Sequence, residues 1–117
     1  MTSTDRIRRS SPEGGELTLS LTYDESLFSI ELFGELDLAT VPELDSVLAR
    51  AESTDAKEIV VDLSGLEFVD STGIALLVKA ARRSRMNGGR LRLLRGTGQV
   101  ERVMTLCRLH ERLPFAD

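Results

Sequence analysis

The sequence predicts an α/β domain: a mixed β-sheet covered by helices, in the order β-β-α-β-α-β-α, with room for a last edge strand. Three observations carry this. Apolar residues alternate with polar ones in two short runs near the start. A continuous β-branched run, Ile59-Val60-Val61, lies mid-chain. Three longer segments repeat apolar residues at helical spacing.

Leu17, Leu19 and Leu21 alternate with Thr18, Ser20 and Thr22, the pattern of a half-buried strand. Phe28, Ile30 and Leu32 repeat it after the polar turn Asp24-Glu25-Ser26, so the two strands read as an antiparallel hairpin. Thr40 and Glu43 have the spacing of a capping box, and Pro42 fits a first helical turn. Val41, Leu44, Leu48 and Ala51 then mark one helix face.

Ile59–Leu63 reads as a central strand buried on both faces. A long helix begins near Ser71, with Ile74, Leu77, Val78 and Ala81 on its apolar face, and Asn87-Gly88-Gly89 stops it. Leu91 and Leu93 alternate with arginines as a further strand. Val100, Val103, Met104 and Cys107 follow as a third helix face, and Leu113-Pro114-Phe115 has room for a short edge strand. The unit over residues 57–95 is expected to be a right-handed parallel crossover. Residues 1–15, polar and ending in Pro12-Glu13-Gly14-Gly15, read as a flexible leader, which leaves 16–117 as the domain.

Composition narrows the function classes. A chain of 117 residues, 41% hydrophobic and 29% charged, fits one globular domain that needs no disulfide or metal for its core. No apolar run approaches the roughly 20 residues of a membrane helix, and Met1–Ser11 lacks the apolar core of a secretory signal. A cytoplasmic location is therefore expected. Cys107, the single cysteine, is read as a small apolar filler on a helix face. One Cys and one His cannot build a zinc site, and no phosphate-binding glycine loop occurs, so no metal or cofactor is expected. The net charge of −4 and the lack of tryptophan argue against nucleic-acid binding. Charge is uneven: Arg82, Arg83, Arg85, Arg90, Arg92 and Arg95 cluster, while Glu31, Glu35, Asp37, Glu43 and Asp45 form an acidic stretch. Solvated faces account for both; complementarity to a partner is the functional alternative.

The informative segment runs from Val61 to Ile74. A strand delivers the chain to a loop, where Phe68 and Val69 are expected to pin it to the core. The loop delivers Asp70-Ser71-Thr72-Gly73 to a helix start. A hydroxyl there faces backbone N–H groups that lack helical partners, so a phosphate would gain from those donors and from the helix dipole. Phosphorylation would then leave the fold intact and place a charge of about −1.5 to −2 on the surface. Taken alone, Asp70 and Ser71 are also what an ordinary helix cap requires.

Asp70-Ser71-Thr72-Gly73, with its preceding strand and following apolar helix, resembles the signature of STAS domains of the bacterial anti-sigma factor antagonist class. Gly34-Glu35-Leu36-Asp37 is similar to that family's second recurrent motif, and Gly88-Gly89 also fits. The resemblance spans about Glu16 to Phe115 and implies a STAS-like fold and a partner switch. Ser71 would be phosphorylated by an anti-sigma factor that is an ATP-dependent serine kinase. The unphosphorylated chain would bind that kinase and free a sigma factor, and a metal-dependent serine phosphatase would reset it. The resemblance assigns Asp37, Asp70, Ser71, Thr72 and Gly73 to the partner-binding surface, with Thr72 a secondary phosphorylation candidate. It leaves the oligomeric state open.

Three rivals remain. A stand-alone STAS subunit of a lipid-transport ATPase, or a stress-signalling scaffold, keeps the fold and changes the partner. A hydrolase with Ser71 as nucleophile and His110 as base would need the two within hydrogen-bond reach and an oxyanion site. The sequence has no Gly-x-Ser-x-Gly elbow. A phosphoacceptor aspartate at Asp62 would need paired acidic residues on an earlier strand end, which are missing. The expectation is thus a binding protein, not an enzyme.

Overall fold

A computed structural model describes residues 1–10, 12 and 14–116. The elements are β1 (Ser3–Ser10), β2 (Glu16–Tyr23), β3 (Leu27–Leu36), α1 (Val41–Glu52), β4 (Glu58–Asp62), β5 (Leu66–Val69), α2 (Ser71–Met86), β6 (Leu91–Leu94) and α3 (Gly98–Leu106), then a 3-10 turn at Leu109–Glu111. Five strands lie in the order β1-β2-β3-β4-β6, and β5 joins through β3. The first two pairings are antiparallel, while β4 and β5 both pair parallel to β3.

On the edge away from β2, strand β3 therefore serves two partners. Its first half, Leu27–Glu31, pairs with β4; its end, Gly34–Leu36, pairs with β5 after a register shift at Gly34/Glu35. Gly34 makes the shift possible. Its φ of 102° belongs to the left-handed region, and a Cβ there would stand 2.3 Å from the Glu16 carbonyl oxygen.

The β2 leucines and Phe28, Ile30 and Leu32 of β3 are buried at 0–1% exposure, as their alternation requires. Leu44, Val47, Leu48 and Ala51 of α1 join them. In α2 the buried line is Gly73, Leu76, Leu77, Ala80 and Ala81, one residue ahead of the expected stripe, with Ile74 and Val78 half-buried. Arg83 of α2 donates two hydrogen bonds to Glu52 of α1, at 3.2 and 2.9 Å.

Several expectations need correction. Most of the expected leader is strand β1: Ser3–Ser10 pairs along its whole length with β2. The ladder is made by backbone groups, so it forms whatever side chains the strand carries. Tertiary contacts add to this, as Arg50 of α1 donates to Asp5 Oδ2 and Tyr23 Oη at 2.8 Å each. Ser11 and Glu13 of that leader lie outside the described residues. Strand β4 is fully buried on one face only; Val60 and Asp62 are half-exposed. Cys107 is exposed at the C-terminal cap of α3, because the helix ends there and turns the side chain off its apolar line. Among the described residues the tail makes one parallel bridge, Leu93 to Phe115, instead of a strand. The crossover from β4 to β6 is parallel as expected, with β5 inserted before its helix.

Candidate functional site

Strand β5 ends at Val69 and α2 starts at Ser71, so one residue makes the corner. Asp70 has extended backbone, φ −105° and ψ −175°, the conformation of an N-cap. Its Oδ1 accepts from the Thr72 N–H at 2.9 Å, the Gly73 N–H at 3.1 Å and the Thr72 hydroxyl at 2.5 Å. Burial pushes the Asp70 carboxyl up, but the Thr72 hydroxyl and the Gly73, Thr72 and Leu38 N–H groups outweigh it and hold the group below its usual range. An ionised carboxylate thus sits beside the first helical residue.

That residue is Ser71, and it is exposed. Its hydroxyl stands at the N-terminus of a 16-residue helix, where the macrodipole is positive. Gly73 is buried beneath it: an added Cβ would lie 2.7 Å from Val69 Cγ2 and 2.9 Å from Leu36 Cγ. Absence of a side chain at Gly73 therefore lets the first turn of α2 settle onto β3 and β5.

The loop from β3 to α1 lies alongside. The Asp70 N–H donates to the Leu36 carbonyl at 3.1 Å. One residue on, Asp37 organises the loop: Oδ2 accepts from the Gly15 N–H at 2.9 Å, and Oδ1 from the N–H groups of Ala39 and Thr40 at 3.0 and 3.2 Å. The expected capping box is replaced by a different arrangement. Thr40, fully buried, donates its hydroxyl to the Glu35 carbonyl at 2.8 Å and accepts from the Asp37 N–H at 2.9 Å, so it ties the loop rather than the helix end.

The structure therefore brings together both motifs singled out in the sequence. Ser71 faces outward, Asp37, Asp70 and Thr72 are half-buried, and Gly73 is packing material. Two apolar side chains flank them at the surface, Leu38 at 74% exposure and Phe68 at 38%. Phe68 was expected to pin the loop; only Val69, at 1%, does so. Strand β5 buries its two ends, Leu66 and Val69, and leaves Glu67 and Phe68 exposed between them. Sequence reasoning also missed Gln99, whose side chain holds the backbone of Val69. No local signal marks it, since the two residues are thirty positions apart.

The rival sites are differently occupied. His110 lies in the turn after α3, its ring near Thr105 Oγ1 (3.4 Å), Glu101 Oε2 (3.5 Å) and Phe115. Asp62 accepts from the Ser64 N–H at 2.9 Å and shapes a turn. Among the described residues no cluster of three or more His, Cys, Asp or Glu could hold a metal, and no helix is long and apolar enough to cross a membrane.

A parallel-strand fork on β3, with a helix start at its end, defines a mixed-sheet α/β domain presenting a serine. The STAS domain family matches residues 18–117, and the chain belongs to it. Its similarity extends to the anti-sigma-B factor antagonist of Staphylococcus aureus strain NCTC 8325, 28% identical over 95 residues that cover 81% of this chain and 88% of that protein. The protein of the same name from Staphylococcus epidermidis is 28% identical over 92 residues, 79% of this chain and 84% of that one. Among solved structures, the anti-sigma factor antagonist SpoIIAA in its unphosphorylated form superposes with TM-score 0.68 at 25% identity, covering 85% of this chain and 88% of that one. An anti-sigma factor antagonist from Mycobacterium paratuberculosis shares the fold with TM-score 0.70 at 22% identity, covering 92% and 89%.

Proposed function

We propose that this chain is an anti-sigma factor antagonist, switched at Ser71, that acts by binding and catalyses nothing itself. With a free Ser71 hydroxyl it docks on an anti-sigma factor serine kinase and frees the sigma factor. Phosphorylation of Ser71 by that kinase releases it, and a metal-dependent serine phosphatase restores the hydroxyl. These encounters take place in the cytoplasm. The observation that carries the reading is an exposed serine at the first position of a helix whose cap is satisfied by Asp70. The names of the staphylococcal relatives and of the SpoIIAA structure support it.

The physics of release is electrostatic. The added phosphoryl charge is tolerated by the helix N-terminus, so the fold survives. It lands next to ionised Asp70, on a surface that exposes Leu38 and Phe68. A partner surface fitted to a neutral hydroxyl must then desolvate an anion or leave it unpaired, and either weakens docking. The rim of the docking surface is formed by Asp37, Thr72 and the apolar pair, with Gly73 setting the helix height.

Affinity capture with the unphosphorylated chain, followed by incubation of the captured partner with ATP and mass spectrometry of residues 66–79, tests this. The expected result is a serine kinase and one phosphate on Ser71. Capture of a transport ATPase, with Ser71 unmodified, would replace the switch by the lipid-transport reading.

A further inference from the structure

Val69 closes β5 and stands two positions before Ser71. The Asp70 N–H turns toward β3, where it donates to the Leu36 carbonyl. Alternation along a strand sends the polar groups of Val69 to the other edge. Among the described residues no further strand covers that edge; the side chain of Gln99 does. The Val69 N–H donates to Gln99 Oε1 at 3.0 Å, and Gln99 Nε2 donates to the Val69 carbonyl at 3.0 Å. A primary amide carries one acceptor and donors in one plane, so it can satisfy a peptide's N–H and C=O together, as a neighbouring strand would. Val69 is 1% exposed, so few water molecules can substitute.

Gln99 is itself held in place. It is the second residue of α3, behind Gly98 with φ 55°. The connection to α3 is packed tightly enough that a Cβ on Gly96 would fall 2.6 Å from Val100 Cγ1 and 3.2 Å from the Leu63 carbonyl oxygen. Val100 and Met104 are fully buried. The helix start that carries the amide is therefore fixed to the body independently of the amide.

We propose that Gln99 is a positioning residue for the Ser71 switch: its amide pins the last peptide of β5 and so sets where Asp70 caps α2 and where Ser71 is presented. This rests on Ser71 being the phosphoacceptor. Gln99 does not touch the reacting hydroxyl; it acts through Val69 and Asp70.

Gln99→Met keeps the length and removes both hydrogen bonds, whereas Gln99→Glu keeps an acceptor for the Val69 N–H and turns a carboxylate onto the carbonyl. Val103→Ala truncates a half-buried α3 side chain that makes neither of the two hydrogen bonds to Val69 and serves as the control. Amide exchange at Val69 and the kinetics of Ser71 phosphorylation, using the kinase captured by the wild-type chain, are the readouts. Gln99→Met is expected to raise Val69 exchange and the KM for the chain about tenfold, as the loss of ordinary hydrogen bonds implies, with kcat much less affected. Gln99→Glu falls between it and wild type, and Val103→Ala leaves KM unchanged. If Gln99→Met does not fold, the Glu variant carries the test, and a wild-type KM in it overturns the proposal. Faster Val69 exchange with an unchanged KM overturns it also, as does an equal KM rise in Val103→Ala. A wild-type chain that no kinase phosphorylates overturns the switch itself and this proposal with it, and the kinetic arm separates the two failures.

Discussion

Asp70 and Thr72 are joined twice: one carboxylate oxygen of Asp70 accepts both the N–H and the hydroxyl of Thr72. The double link closes a small ring around Ser71, the residue between them, and leaves it facing solvent. The hydroxyl at Thr72 is thereby occupied, whereas the one at Ser71 is presented. The proposed switch is therefore assigned to Ser71 rather than to Thr72.

Replacing Ser71 should separate binding from folding. Ser71→Ala and Ser71→Glu are both expected to melt within a few degrees of wild type, because an exposed helix-start position tolerates either and Glu gains slightly from the dipole. Titration against the captured kinase should give Ser71→Ala wild-type affinity and Ser71→Glu at least about tenfold weaker binding, equivalent to about 1.4 kcal/mol. Equal, tight binding by both variants would falsify the electrostatic mechanism.

Asp70→Ala removes the cap and should lower stability by about 1 kcal/mol, read from urea denaturation. The effect depends on pH. Folding lowers the carboxyl's pKa, so the ionised group stabilises the folded state above the unfolded pKa of about 3.9, and that contribution is lost as pH falls through the lower folded value. The stability gap between wild type and Asp70→Ala should therefore be full near neutrality and shrink below pH of about 4. A gap that widens in acid contradicts the assigned cause.

Gly73→Ala places a methyl against Val69 and Leu36, both buried. Overpacking of this kind costs about 1–3 kcal/mol. The first turn of α2 must lift, so thermal melting should drop and exchange at the Thr72 and Gly73 amides should rise. Unchanged melting with unchanged exchange would mean that the first turn has slack to spare.

Thr40→Val preserves shape and deletes a buried hydroxyl that joins the Glu35 carbonyl to the Asp37 N–H. Leaving both groups unpaired should cost about 1–3 kcal/mol and speed exchange at the Asp37 amide, while Thr40→Ser should recover most of the loss. The same loop carries Leu38 and Asp37, so kinase binding should weaken in Thr40→Val beyond what stability alone predicts.

The helices were legible because burial imposes a 3.6-residue period on a helix face, and the hairpin because alternation imposes a period of two on a strand with one wet face. Asp70 and Ser71 were legible because helix starts need an acceptor and expose the next side chain. The Thr40–Glu43 spacing misled because a threonine hydroxyl serves whichever backbone group is nearest, and here the Glu35 carbonyl at the end of β3 is nearer. Cys107 misled because its helical register runs past the point where α3 ends.

By itself the sequence determined the periodic elements, the capped helix start and the serine it presents, since each follows from interactions within a few residues. Tertiary structure alone decided that Ser3–Ser10 becomes a strand, that Leu66–Val69 pairs with the end of β3, and that Gln99 seals the far edge of that strand. In those cases the deciding partner is a backbone group distant in sequence, and a peptide N–H or C=O carries no trace of its partner in the residue that bears it.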